Sequence, residues 1–199
     1  MREQKPIKAP DSRKCLSLQY SYYEEPGSGI MQIKLEKLQV ADSEALRQFE
    51  MKNRSFFEKT VPGRGDAYYK QEVFEQLHLN LLTEQGTGDA VFYLMKNEEG
   101  SIVGRLNLID MDKTNETGHI GYRVGQNYIG QGIASQAVQL LLEAAPDLNI
   151  RQIQAKTTET NLASQKVLEK SGFSQVEEMD EEIDFNGEQV KFVHYIWEG

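Results

Sequence analysis

A chain of 199 residues fits a single domain, at the usual ~100–200 residues each. Its 39% hydrophobic and 27% charged residues describe an ordinary globular protein, and no apolar run nears the ~18–20 residues of a membrane span. The net charge of −9 disfavours nucleic acid, whose phosphates need a basic face, while the lone Cys15 excludes a disulfide framework and leads us to expect a reducing, cytoplasmic setting.

Residues 1–30 stand apart from the rest. The first thirteen are polar and basic, 16–23 has the makings of a short strand, and Pro26-Gly27-Ser28-Gly29 breaks the chain. They read as an N-terminal extension, either a genuine arm or a misassigned start, ahead of a domain over 31–199. In that domain 32–40 predicts a strand. Asp42 is placed as the N-cap of a helix to about residue 57. After the Pro62-Gly63-Arg64-Gly65 loop, Asp66 opens a second helix to about residue 83. Tyr69, Val73, Leu77 and Leu81 mark its buried face by their spacing. Strands follow over 90–96 and 101–110, around a Glu99-Gly100 turn, and then over 116–124. A central helix over 133–145 is stopped by Pro146. A buried strand is expected over 150–157, and a short helix over 161–171 that Gly172 ends. Two last strands, 173–184 and 188–197, flank Asn186-Gly187, a strong two-residue hairpin signal. The alternation predicts an α/β protein with a mixed sheet and helices on both faces.

The stretch Tyr128-Ile129-Gly130-Gln131-Gly132-Ile133-Ala134-Ser135 carries most of the functional information. It joins a strand to a helix, so its free amides and the helix dipole suit a pyrophosphate. Glycines there let a ligand approach the main chain. A Walker loop would need Lys and Ser/Thr after Gly130, where Gln131-Gly132 stands. A dinucleotide fingerprint would need Gly or Ala at Ser135, and an acidic strand end that is not evident.

His119-Ile120-Gly121-Tyr122-Arg123-Val124 with the glycine loop resembles the acetyl-CoA segment of the GNAT N-acetyltransferases. Asn161-Leu162-Ala163-Ser164-Gln165-Lys166-Val167-Leu168-Glu169-Lys170-Ser171-Gly172-Phe173 is similar to that family's second signature, in the form carried by the RimJ/RimL branch that acetylates ribosomal-protein N-termini. The resemblance implies the GNAT fold and acetyl transfer from acetyl-CoA to an amine. It implies a cofactor site of Tyr122, Val124, Ile129, Gly130, Gln131, Gly132, Ile133, Ala134, Asn161 and Ser164. The position where the family loop carries Arg or Gln is Ile129 here, which removes a side-chain contact but no backbone donor.

The resemblance also places candidate catalytic groups. His119 or Glu116, on the strand before the loop, is a candidate base, and so is Glu182 in the acidic stretch near the C-terminus. A water chain is the third option. The tyrosine acid of many relatives is replaced by Val167 here, and the resemblance to the RimL-like branch implies that Ser164 contacts the cofactor sulfur. Asn53, Phe56 and Phe57 match the first-helix wall of the acceptor site. The leading acceptor is a protein N-terminal α-amine; a polyamine, aminoglycoside or amino acid is the rival. A non-catalytic CoA-binding sensor is the reading from another class. No metal is expected, because His78 and His194 lack ligand spacing; a homodimer is compatible with the sequence and not dictated by it.

Overall fold

The computed structural model describes residues 31–59, 63–176, 182–185 and 187–199. The extension over 1–30, most of the acidic stretch before Glu182, and Asn186 of the hairpin turn lie outside the described residues.

The chain opens with β1 (Ile33–Lys37) and α1 (Ser43–Phe57). Asp42 holds the predicted cap position, but its carboxylate accepts from the Gln39 amide (2.9 Å) and from Lys96 Nζ (3.1 Å) instead. A 3-10 turn over Asp66–Tyr69 then leads to α2 (Gln71–Thr87). The predicted face of this helix is corrected. Lys70 is extended (φ −67°, ψ 135°), so Tyr69 belongs to the 3-10 turn and is out of phase with the helix after it. The helix buries Phe74 and His78, while Val73 (37%) and Leu77 (39%) stay exposed.

β2 (Val91–Asn97), β3 (Ile102–Asp112) and β4 (Thr117–Val124) form an antiparallel run. α3 (Ile133–Ala144) returns the chain so that β5 (Gln152–Thr158) lies parallel to β4. α4 (Leu162–Lys170) comes next, then β6 (Ser174–Gln175), β7 (Glu182–Phe185) and β8 (Glu188–Glu198). The span predicted as one strand over 173–184 thus contributes two described strands. Phe185 pairs with Glu188 across the turn, and Gly187 has φ +84°, as a tight two-residue hairpin requires. Among the described residues the sheet order is β1-β2-β3-β4-β5-β8-β6, with β7 on β8.

Alternation along β2 shows the layering. Val91, Tyr93 and Met95 join one core cluster with α3 residues Val138 and Leu141, while Phe92 and Leu94 join the other with Leu46 and Phe49 of α1. Helices therefore cover both faces of the sheet, as the sequence predicts.

Candidate active site

The parallel β4–β5 ladder ends at Ile120↔Ala155, although β4 runs on to Val124 and β5 to Thr158. Beyond that point the strands part and leave a wedge through the sheet. The edge of residues 121–124 that would face β5 carries no ladder, so its peptide groups are available to an extended ligand. An open cleft of about 280 Å³ fills the wedge. Tyr122, Asn161, Ser164 and Leu168 line one side of it, in the α3–α4 layer; Arg64, Arg105, Asn107 and Arg123 line the other, under α1. Gly121 is also in the wall, and a Cβ built there would meet nothing within 4 Å. Its missing side chain keeps the passage open.

The glycine loop follows the parted end of β4 and leads into α3. Gly130 (φ +75°) and Gly132 (φ +78°) are left-handed, with open space where a Cβ would stand. Gly132 is the N-cap of α3 and offers no side-chain acceptor. Among the described residues, no hydrogen bond uses the amides of residues 130–135. Adjacent unused donors at a helix N-terminus, on backbone that no side chain shields, fit a pyrophosphate. Ile129 is 49% exposed, and its amide donates to the Gln126 carbonyl at 3.5 Å.

On the cofactor side the Tyr122 hydroxyl lies 2.9 Å from Ser164 Oγ and 3.3 Å from the Ser164 carbonyl. Burial pushes the Tyr122 phenol up to about 12, against a smaller downward effect of the Ser164 hydrogen bond. It therefore remains a proton donor through the neutral range. Asn161 caps α4, its Oδ1 accepting from the Ser164 amide at 3.2 Å, which fixes the serine at the cleft wall.

The other expected residues are placed differently. His119 is exposed, between Ile109 and Gln154 on the paired part of β4, and is not in the cleft wall. Glu116 (φ +56°) lies at the opposite end of β4 from the glycine loop, with Arg151 Nε 2.9 Å away. Glu182 opens β7 and faces Lys191 at 3.9 Å, whereas its neighbour Ile183 lines the cleft. The first-helix residues lie away from the cleft. Asn53 is buried, its Nδ2 donating to the Phe49 carbonyl and its Oδ1 accepting from the Gln126 amide, both at 2.8 Å. It ties α1 to the entrance of the glycine loop. Phe57 is core, Phe56 packs against it at 5.9 Å, and neither lines the cleft.

The cleft arginines carry no role assigned from the sequence. Arg105, in the middle of β3, is 5% exposed and donates through Nη1 to Glu50 Oε1 at 2.9 Å. Glu50 is fully buried on α1, with Arg123 Nη1 3.6 Å from its other oxygen. The signal was present, since an arginine amid strand residues such as Val103, Leu106 and Leu108 needs a buried carboxylate.

Comparisons with known proteins agree with this geometry. The family model described as "Acetyltransferase (GNAT) domain" matches residues 32–174. "Probable N-acetyltransferase YjcK" of Bacillus subtilis is 29% identical over 140 residues, 68% of this chain and 77% of that protein. The "Ribosomal-protein-serine acetyltransferase" of Escherichia coli is 25% identical over 129 residues, 64% of this chain and 71% of the relative. A solved RimL, a ribosomal L7/L12 α-N-protein acetyltransferase in complex with coenzyme A, superposes with TM-score 0.76 at 24% identity, covering 87% of this chain and 96% of that one. Among the described residues no cluster of His, Cys, Asp and Glu could hold a metal, and no helix is long and apolar enough to cross a membrane. The matched family model spans most of the chain, including the glycine loop and the signature around Ser164, and the protein belongs to the GNAT family as an acetyl-CoA-dependent N-acetyltransferase.

Proposed function

We propose that this acetyltransferase modifies the α-amine at the N-terminus of a protein or peptide. The observation that carries the reading is the shape of the acceptor side. The cleft shares Arg64, Arg105 and Asn107 with a second groove of about 330 Å³ under α2, lined by Leu46, Phe74, Leu77, Leu81, Phe92 and Ile109. A polar cleft beside a largely apolar groove offers an extended chain more contact surface than a small amine needs. Relatives and structural neighbours named as ribosomal-protein acetyltransferases support the same class of acceptor.

The chemistry asked of the residues is modest. Acetyl-CoA supplies a thioester carbonyl to the amine. Gly130 to Ala134 would hold its pyrophosphate, and the open edge of 121–124 its extended arm. Ser164 is placed to donate to the departing thiolate, and Tyr122, protonated and 2.9 Å from Ser164 Oγ, orients that hydroxyl. An α-amine with pKa ~7.7–8.0 is substantially neutral near pH 8, whereas a lysine or polyamine at ~10.4 is not. Since His119, Glu116 and Glu182 all stand outside the cleft wall, we assign proton removal to water.

The test has two parts. Thermal unfolding of the wild type with acetyl-CoA at about 100-fold its Kd should show about 2.7 kcal/mol of stabilisation, and Gly132→Trp should abolish it. Thiol release should then be compared between N-terminal peptides and spermidine. Release with spermidine but not with any peptide would overturn the proposed acceptor.

A further inference from the structure

Among the described residues, the acceptor mouth gathers cationic side chains. The chain carries a net charge of −9, yet Arg64, Arg105, Arg123 and Lys156 all line the cleft. Glu50 lies behind Arg105 and Arg123, within 2.9 Å of one and 3.6 Å of the other, so one carboxylate faces two guanidiniums. Arg64 is exposed and stacks over the Tyr68 ring at 4.6 Å; among the described residues no carboxylate pairs with it. Like charges crowded at one mouth repel, and water or an anion must offset them. Burial, and then Arg64, pull the Arg123 guanidinium below its usual range, while Glu50 opposes them. Among the described residues, no acidic side chain lines the cleft beside Arg64, Arg105 and Arg123.

Taking the peptide acceptor as given, we infer that its N-terminal segment carries a carboxylate close to the amine, as an acidic side chain at the second or third residue, received by Arg64 and Arg123. The cavities determine the position. Arg64 and Arg105 line both the cleft and the groove under α2, while Glu84 lines only the groove, so the two arginines flank the residues next to the amine. Arg105 is already used by Glu50 and by Asn107 Oδ1, at 2.9 and 3.4 Å, and contributes its field. Arg64 and Arg123 retain donors for a ligand, in the fork geometry that matches a carboxylate. A polycationic acceptor would have to enter against this charge.

The experiment compares three peptides that share their first residue, Ser-Asp-Glu, Ser-Ala-Gln and Ser-Lys-Lys, with free aspartate and spermidine as further arms. The expected order of kcat/KM is acidic, neutral, basic, with at least about tenfold between the first two, the range of one hydrogen bond to a charged group. Arg64→Gln should shrink the ratio and Arg64→Glu should reverse it; position 64 is exposed, so neither disturbs the core. Calorimetric binding of the already acetylated peptides should show the same order without turnover. If free aspartate outruns every peptide, the carboxylate belongs to an amino acid and the peptide assignment is overturned. Equal rates for the three peptides would overturn the inference while leaving the peptide reading intact. Thiol release with none of the amines would sink that reading itself.

Discussion

Arg105 and Glu50 form a buried ion pair behind the α1 side of the cleft. With 5% and 0% exposure, neither is solvated, and each charge depends on the other. Glu50→Gln keeps the shape and removes the charge, leaving Arg105 buried without its carboxylate. The expected cost is about 3–5 kcal/mol, read as a lower urea midpoint at unchanged slope. A cost below about 1 kcal/mol would mean that water solvates Arg105 already. The hydroxyl pair across the cleft calls for a different measurement. Ser164→Ala should lower kcat about tenfold, less than the ~10²–10⁴ of full acid catalysis, because a thiolate with pKa ~8.5 already leaves readily. Tyr122→Phe should lower it by a similar factor, and the double variant should be no worse than Ser164→Ala. Additive losses would separate the two hydroxyls.

Elements were largely legible from pattern. The strand–glycine–helix passage from β4 into α3 was visible because Gly130 and Gly132 mark a turn that only left-handed residues make, at φ +75° and +78°. The Asn186-Gly187 signal located the last hairpin for the same reason. The buried face of α2 was not legible. Val73 and Leu77 have helical spacing, but so do Phe74 and His78, and an apolar pattern around most of a helix does not choose its own side. Contact with β2 and with the chain after β1 decides it: Phe74 joins the cluster of Leu46, Phe92 and Leu94, and His78 Nε2 lies 2.9 Å from the Gln39 carbonyl. Phe74→Ala should therefore cost about 3–5 kcal/mol, whereas Val73→Ser should stay within about 0.5 kcal/mol. The reverse order of midpoints in urea would restore the predicted face. Tyr122, Asn161 and Ser164, on one side of the wedge, fall within the two signatures, whereas the candidate bases His119, Glu116 and Glu182 are not in its wall. Arg64, Arg105 and Arg123 come from three separate segments, and Glu50 from a fourth, so their convergence depends on tertiary pairing that no local pattern records.

For the whole molecule, buried phenols shape the response to alkali. Burial pushes Tyr93, in the core at 7% exposure, up to about 12, and Tyr122 likewise to about 12. Unfolded, both would titrate near 10. Proton counts set the sign. Below pH about 10 both states hold the phenolic protons, so stability does not change on their account. Between about 10 and 12 the folded state keeps protons that the unfolded state has lost, so stability falls as pH rises through that window. Each phenol contributes a slope of at most about 1.4 kcal/mol per pH unit. Urea unfolding at pH 8, 10 and 11 should show a flat first interval and a steep second one. Tyr93→Phe with Tyr122→Phe should flatten the second interval, although the variant starts from its own baseline at pH 8. An unchanged slope would mean that these phenols ionise in the folded protein near their ordinary value, and Tyr122 would then lose its standing as a donor that holds its proton beside Ser164.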